Sequence, residues 1–125
     1  MYAIIIAIKE VIAIKTHFNW LFYKNDKLIE EYKNLKIVND IYQVSNKIKL
    51  LKENNNYILK RTGADYEVTI NFNNKLCCIN FFKENIITEL ELLQLEIVDK
   101  KDKLTIIYML DIDEINKLVI ELKEW

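Results

Sequence analysis

Asp65-Tyr66-Glu67-Val68-Thr69-Ile70-Asn71-Phe72 alternates polar and apolar residues without a slip. A period of two is the signature of a β-strand with one buried and one wet face. Asn73-Asn74 then reads as a tight turn. Lys75 to Phe82 follows as the hairpin partner, with Leu76, Cys78, Asn80 and Phe82 on one side and Cys77, Ile79 and Phe81 on the other. Both of its sides carry apolar groups.

Downstream, Leu90 and Leu92 share a phase, with Glu89 and Glu91 opposite. The apolar phase then slips by one, to Leu93, Leu95 and Ile97, with Gln94 and Glu96 opposite. A one-residue slip turns every side chain to the other face. A β-bulge or bend at Leu92-Leu93 accounts for it, the device by which barrels turn corners. A helix over 86–98 is the rival reading, because Leu and Glu are good helix formers; the flanking strands favour the bulged strand. Asp99 to Lys103 reads as a charged turn, Lys103 to Asp111 as a strand and Asp111 to Asn116 as an acidic loop. Lys117 to Trp125 is the closing strand.

Upstream the pattern is less regular. Strands are expected near Tyr2–Lys9, Val11–Thr16, Asn19–Lys24, Lys27–Tyr32, Lys36–Val44, Lys47–Lys52 and Asn56–Arg61, with a helical turn as the alternative somewhere in Asp26 to Leu35. The apolar start, Tyr2 to Ile8, has no basic residue before it and is interrupted by Lys9 and Glu10. That is unlike a signal peptide and far short of the ~20 residues of a membrane helix. The chain has no Pro and one Gly. Asn takes over in the turns, at Asn25-Asp26, Asn39-Asp40, Asn54-Asn55-Asn56 and Asn73-Asn74, because Asn tolerates positive φ. Many short strands at this spacing predict a sandwich or barrel.

The 125 residues suit one domain spanning 1–125, large enough to build a core without metal or disulfide staples. Eighteen Lys+Arg nearly balance nineteen Asp+Glu, which argues against a nucleic-acid binder. Cys77 and Cys78 are neighbours, so on a strand they point to opposite faces and cannot readily bridge. One buried and one half-exposed free thiol fit a reducing, cytoplasmic setting.

Several features taken in order resemble a known family. Tyr57-Ile58-Leu59-Lys60-Arg61-Thr62-Gly63 is a strand ending in Arg-Thr-Gly. A hairpin follows, then Glu89-Leu90-Glu91-Leu92, with Thr88 where the family has a Gly. After a charged turn come Lys103-Leu104-Thr105-Ile106-Ile107-Tyr108-Met109-Leu110 and Leu118-Val119-Ile120-Glu121-Leu122. This order, over about residues 57 to 122, resembles the YwiB-like family of small bacterial proteins of unknown function. The resemblance implies one antiparallel, calycin-like (lipocalin-like) up-and-down barrel, here of about eight to ten short strands. It implies no activity.

Arg61 is the only Arg. It shares a phase with Tyr57 and Leu59, so it points inward, where a guanidinium stacks on an aromatic ring and donates a fork of hydrogen bonds. Broader calycins close one barrel end with an Arg over a Trp, and Trp20 or Trp125 are candidates for that partner. A strand-end clamp and an anion anchor are both open readings. Tyr57, Tyr66 and Tyr108 share a phase with apolar neighbours and line either a core or a pocket. Arg61, Tyr57, Tyr66 and Tyr108 are therefore the candidate ligand-binding residues.

Gly63 is expected in a positive-φ turn. His17, the only His, has no nucleophile or acid in any recognisable pattern around it. The acidic groups at Glu89, Glu91 and Glu96, and at Asp111, Asp113 and Glu114, read as wet surface; the second lacks a calcium loop's Gly and spacing. No catalytic set, metal site or cofactor loop is expected. The function expected from these readings is binding of a small apolar or amphipathic ligand inside the barrel, without catalysis, nucleic acid or membrane. The alternative is an interaction module with a filled interior, as a homodimer through the doubly apolar Ile86-Ile87 and Ile106-Ile107.

Overall fold

Two-residue hairpins fit the twist of β-strands when both central residues adopt positive φ, which Asn and Asp tolerate. The computed structural model describes residues 15–124 and has three such pairs. They are Asn25-Asp26 (48° and 64°), Asn39-Asp40 (51° and 60°) and Asn54-Asn55 (47° and 69°). The turns after Asn71 and Phe81 are four residues long, and Lys75 and Asn85 provide their positive φ.

These turns join eleven strands: β1 (His17–Lys24), β2 (Lys27–Lys36), β3 (Ile41–Ser45), β4 (Ile48–Glu53), β5 (Asn56–Thr62), β6 (Tyr66–Asn71), β7 (Leu76–Phe81), β8 (Ile86–Glu91), β9 (Gln94–Lys100), β10 (Lys103–Asp111) and β11 (Glu114–Lys123). No described residue is helical, so the helical alternatives at 26–35 and 86–98 do not hold. The strands expected at Tyr2–Lys9 and Val11–Thr16 lie largely outside the described residues. The single strand expected at Lys36–Val44 is broken by the Asn39-Asp40 turn, and the acidic loop expected at Asp111 to Asn116 shrinks to Ile112-Asp113 between paired Asp111 and Glu114.

The strands form two antiparallel sheets, ordered β2-β1-β11-β10-β9 and β3-β4-β5-β6-β7-β8. The two are not hydrogen-bonded into one closed barrel, unlike the barrel anticipated from the sequence. The chain passes between them twice. At 37–40, Ile37 N–H donates to Thr16 O in the first sheet, and Asp40 O accepts from Lys52 N–H in the second. At Leu92-Leu93, Leu92 N–H donates to Lys75 O beside β7, while Leu93 N–H donates to Met109 O on β10. The phase slip in the sequence is thus the point where the chain leaves one sheet and enters the other. Leu92 is buried and Leu93 exposed.

The inner faces meet in one core. Phe18, Trp20, Leu50, Leu59, Phe72, Cys77, Ile106, Leu118 and Ile120 are fully buried there. Phe18, Trp20 and Phe22 alternate along β1 and pair across to Leu122, Ile120 and Leu118. Cys77 is sealed in this core and Cys78 is half-buried, both as free thiols.

Two polar ties cross from β5 to opposite edges of the five-stranded sheet. Tyr57 Oη donates to Asp99 on β9 at 2.7 Å, and Arg61 pairs with Glu30 on β2. Four strand spacings, about 19 Å, separate those edges, and the two β5 residues are about 13 Å apart along their strand. The long side chains span the difference. β5 therefore runs steeply across the strands it covers, as in orthogonal sheet packing.

Candidate functional site

Arg61 lies at the end of β5, opposite Val68 of β6. Its Nη1 and Nη2 donate to Glu30 Oε2 and Oε1 at 3.0 and 2.7 Å, a two-pronged fit between a planar guanidinium and a carboxylate. Its Cζ lies over the Phe22 ring, 4.6 Å from the centroid. Trp20 Nε1 donates to the same Glu30 Oε1 at 3.3 Å, which satisfies the one polar atom of a fully buried indole. Trp20 thus meets Arg61 through Glu30, while Phe22 takes the stacked position. Trp125 lies outside the described residues.

Burial pushes the Glu30 carboxyl up, but the Arg61 hydrogen bonds and charge, helped by Trp20, outweigh it and hold the carboxyl below the ordinary carboxylate value. For Arg61, burial works against the charge and Glu30 more than restores it. Glu30 was not among the residues singled out from the sequence. Alternation along β2 is broken twice against β1, between Phe18/Trp20 and between Phe22/Tyr23. The first irregularity accompanies Asn34 at φ 58°, whose N–H donates to the side chain of buried Asn19. A bulge of this kind erases the period of two that would have marked Glu30 as inward-facing.

Around this pair lies an open cleft of about 310 Å³ between the two sheets. Phe22, Ile29, Val68, Ile70 and Leu110 give it apolar walls; Lys24, Glu30, Arg61, Glu114, Tyr66, Tyr108 and Asn116 give it polar points. Two irregularities of pairing flank it, at Phe22/Tyr23 on β1 and between Tyr108 and Asp111 on β10. Lys24 Nζ and Glu114 Oε1 are paired at 3.3 Å, so both cationic and both anionic side chains of the cleft are matched.

Tyr108 is 4% exposed, and its ring meets Phe72 edge-on, with centroids 5.3 Å apart. Its hydroxyl has no hydrogen-bond partner among the described residues. No fully sealed side-chain oxygen or nitrogen there lacks a partner, so this hydroxyl reaches open space, and Tyr108 opens on the cleft. Burial raises the hydroxyl's pKa above the ordinary tyrosine value. Asn116, directly opposite Tyr108 on β11, is also 4% exposed. It donates through Nδ2 to Tyr108 O, which leaves its side-chain carbonyl without a partner among the described residues.

Of the four expected site residues, Arg61, Tyr66 and Tyr108 line this cleft and Tyr57 does not. Tyr57 is four residues away on β5, beside Tyr42, and its hydroxyl is engaged by Asp99. Tyr66 is the rim, 44% exposed. Gly63 proves to be needed for space rather than for positive φ: its φ is negative, and a Cβ there would lie 2.7 Å from Tyr66 Cε1. Gly63 N–H also donates to Tyr66 O, so backbone and side chain pack this corner together.

A wider depression of about 520 Å³ lies against β3, lined by Val38, Ile41, Val44 and their polar neighbours. None of its lining residues is buried. Among the described residues, no group of His, Cys, Asp and Glu has the arrangement of a metal site, and no helix is long and apolar enough to cross a membrane. No family model, curated protein or solved structure matches the chain.

Proposed function

We propose that this protein is a non-catalytic binding domain that holds a small apolar or amphipathic molecule in the cleft beside Arg61. The observation that carries this reading is a cleft with apolar walls onto which nearly buried Tyr108 presents a hydroxyl that has no partner among the described residues. Ligand sites combine those two features, and 310 Å³ falls at the small end of their range. The ligand belongs at the mouth between the sheets, because Phe18, Trp20 and Phe72 fill the centre. Arg61 acts there as a clamp rather than as an anion anchor, since Glu30 already takes its fork.

A calycin-like kinship of the YwiB-like kind accords with this reading. Each strand neighbours the next in sequence within its sheet, β1 closes against β11, and only the two passages between sheets interrupt a cyclic order. The steep crossing at β5 also suits a flattened barrel.

Titration with the neutral dye Nile red tests the proposal. Saturable uptake is expected, and Leu110→Trp, which fills the cleft, should abolish it with the fold intact. Uptake that survives Leu110→Trp, or no uptake by the native chain, would refute the cleft as a binding site. A second reading, a homodimer through edge strand β8, is favoured by Ile86 and Ile87, which are 52% and 65% exposed. Ile106, expected to share that role, is fully buried. Sedimentation that shows only monomer at high concentration would remove this reading.

A further inference from the structure

We infer that the cleft selects a ligand with a neutral hydroxyl head over one with a carboxylate or ammonium head. This inference rests on the cleft being a binding site and names the chemistry it takes.

The charges of the cleft are already matched. Arg61 and Glu30 share two hydrogen bonds at 3.0 and 2.7 Å, and Lys24 and Glu114 lie 3.3 Å apart. A carboxylate that took Arg61 would strip Glu30 of its partner. Glu30 is only 16% exposed at its side chain and also holds Trp20, so an unpaired charge there is costly. An ammonium drawn to Glu30 would strand Arg61 in the same way. Neither charged head gains an opposite charge without breaking an existing ion pair.

The polar capacity left open is neutral. Behind the exposed Tyr66 at the rim, it consists of the Tyr108 hydroxyl and the Asn116 side-chain carbonyl, on directly opposed residues of β10 and β11 that are both more than nine-tenths buried. Tyr108 can donate and accept, and the amide carbonyl only accepts. An alcohol can accept from the phenol and donate to the amide carbonyl; an ester, ketone or carboxylate cannot donate to the amide, and an ammonium that donates to both brings a charge for which the cleft has no free counter-charge. The tail then lies along Ile29, Val68 and Leu110. A hydroxyl that faces the cleft and that no described residue meets favours a ligand that meets it.

Octanol, octanoate and octylammonium form a series that differs only in the head. Their binding to the full chain near neutral pH can be followed by two-dimensional amide NMR. Octanol is expected to bind about tenfold or more tighter than either ion, and Tyr108→Phe is expected to weaken octanol about fivefold, the size of one neutral hydrogen bond. Octanoate or octylammonium binding as tightly as octanol overturns the head-group inference while the cleft reading stands. Octanol affinity unchanged in Tyr108→Phe, with the amide spectrum still that of a folded protein, overturns the role of the hydroxyl. Failure of all three probes to shift any cleft resonance overturns the cleft reading itself.

Discussion

Arg61 and Glu30 illustrate how much one partner of an ion pair depends on the other. Removing either leaves a half-buried charge unmatched, so Arg61→Met alone should destabilise by about 2 kcal/mol, below the fully buried case because both side chains keep some exposure. Glu30→Leu with Arg61→Met should recover most of that loss, which a double-mutant cycle in urea would measure. The pair also shapes the acid limb of stability. Glu30's folded carboxyl lies below its ordinary value of 4.5, so its contribution is present above that value and lost as pH falls through the folded one. Glu30→Gln should flatten the stability profile below about pH 5. Tyr42, Tyr57 and Tyr108 titrate in the opposite sense. All three are raised, by burial first, so their contribution is present below the ordinary value of 10.0 and lost as pH rises. Ultraviolet titration should show these three phenols ionising only as the chain unfolds, and Tyr57→Phe should weaken the tie to Asp99 at every pH below that limb. The single Gly makes a different point. Its sequence signal was rarity, which suggested a positive-φ turn, but the reason for it is the ring of Tyr66, three residues on, whose direction the sequence pattern does not report. Because that ring is exposed and free to swing, Gly63→Ala should cost under about 1 kcal/mol while moving Tyr66. A Tyr66→Ala background should remove even that cost.

At the scale of elements, legibility followed the regularity of the pairing. β6 was plain from its alternation because its ladder to β7 runs without a register shift. The slip at Leu92-Leu93 was equally visible, and its place in the fold gives it a sharper meaning than a bulge within one strand. Leu92→Ala should cost about 2–3 kcal/mol and Leu93→Ala under about 0.5, as expected of a buried and an exposed leucine. Equal effects in thermal or urea unfolding would contradict the change of sheet between them. β2 was poorly legible for a physical reason: two irregularities against β1 shift its inward phase, so Glu30 arrives on the inner face without a periodic pattern to announce it. The turns at Asn25-Asp26, Asn39-Asp40 and Asn54-Asn55 were legible because the stereochemistry is local, whereas at Asn73-Asn74 the turn takes four residues and Lys75 carries the positive φ instead. Asn55, at φ 69°, should accept Gly with little change or a small gain, whereas Asn55→Val should cost about 1–2 kcal/mol, since left-handed backbone penalises a β-branched residue.

For the whole molecule, the all-β class and the single aromatic core follow from alternation alone. The division into two sheets does not, because it depends on which edges fail to meet, and no local pattern reports that. The same division creates the cleft. Where Arg61 of β5 meets Glu30 of the edge strand β2, the irregular ends of β1 and β10 flank the open space beside Arg61. The most direct measurement of the central claim is a titration of octanol into the isotopically labelled protein, with every shifted resonance assigned. The account predicts saturable shifts that cluster on Ile29, Val68, Tyr108, Leu110 and Asn116 and vanish in Leu110→Trp. Shifts centred instead on Val38, Ile41 and Val44 at β3, or no saturable shift at all, would contradict it.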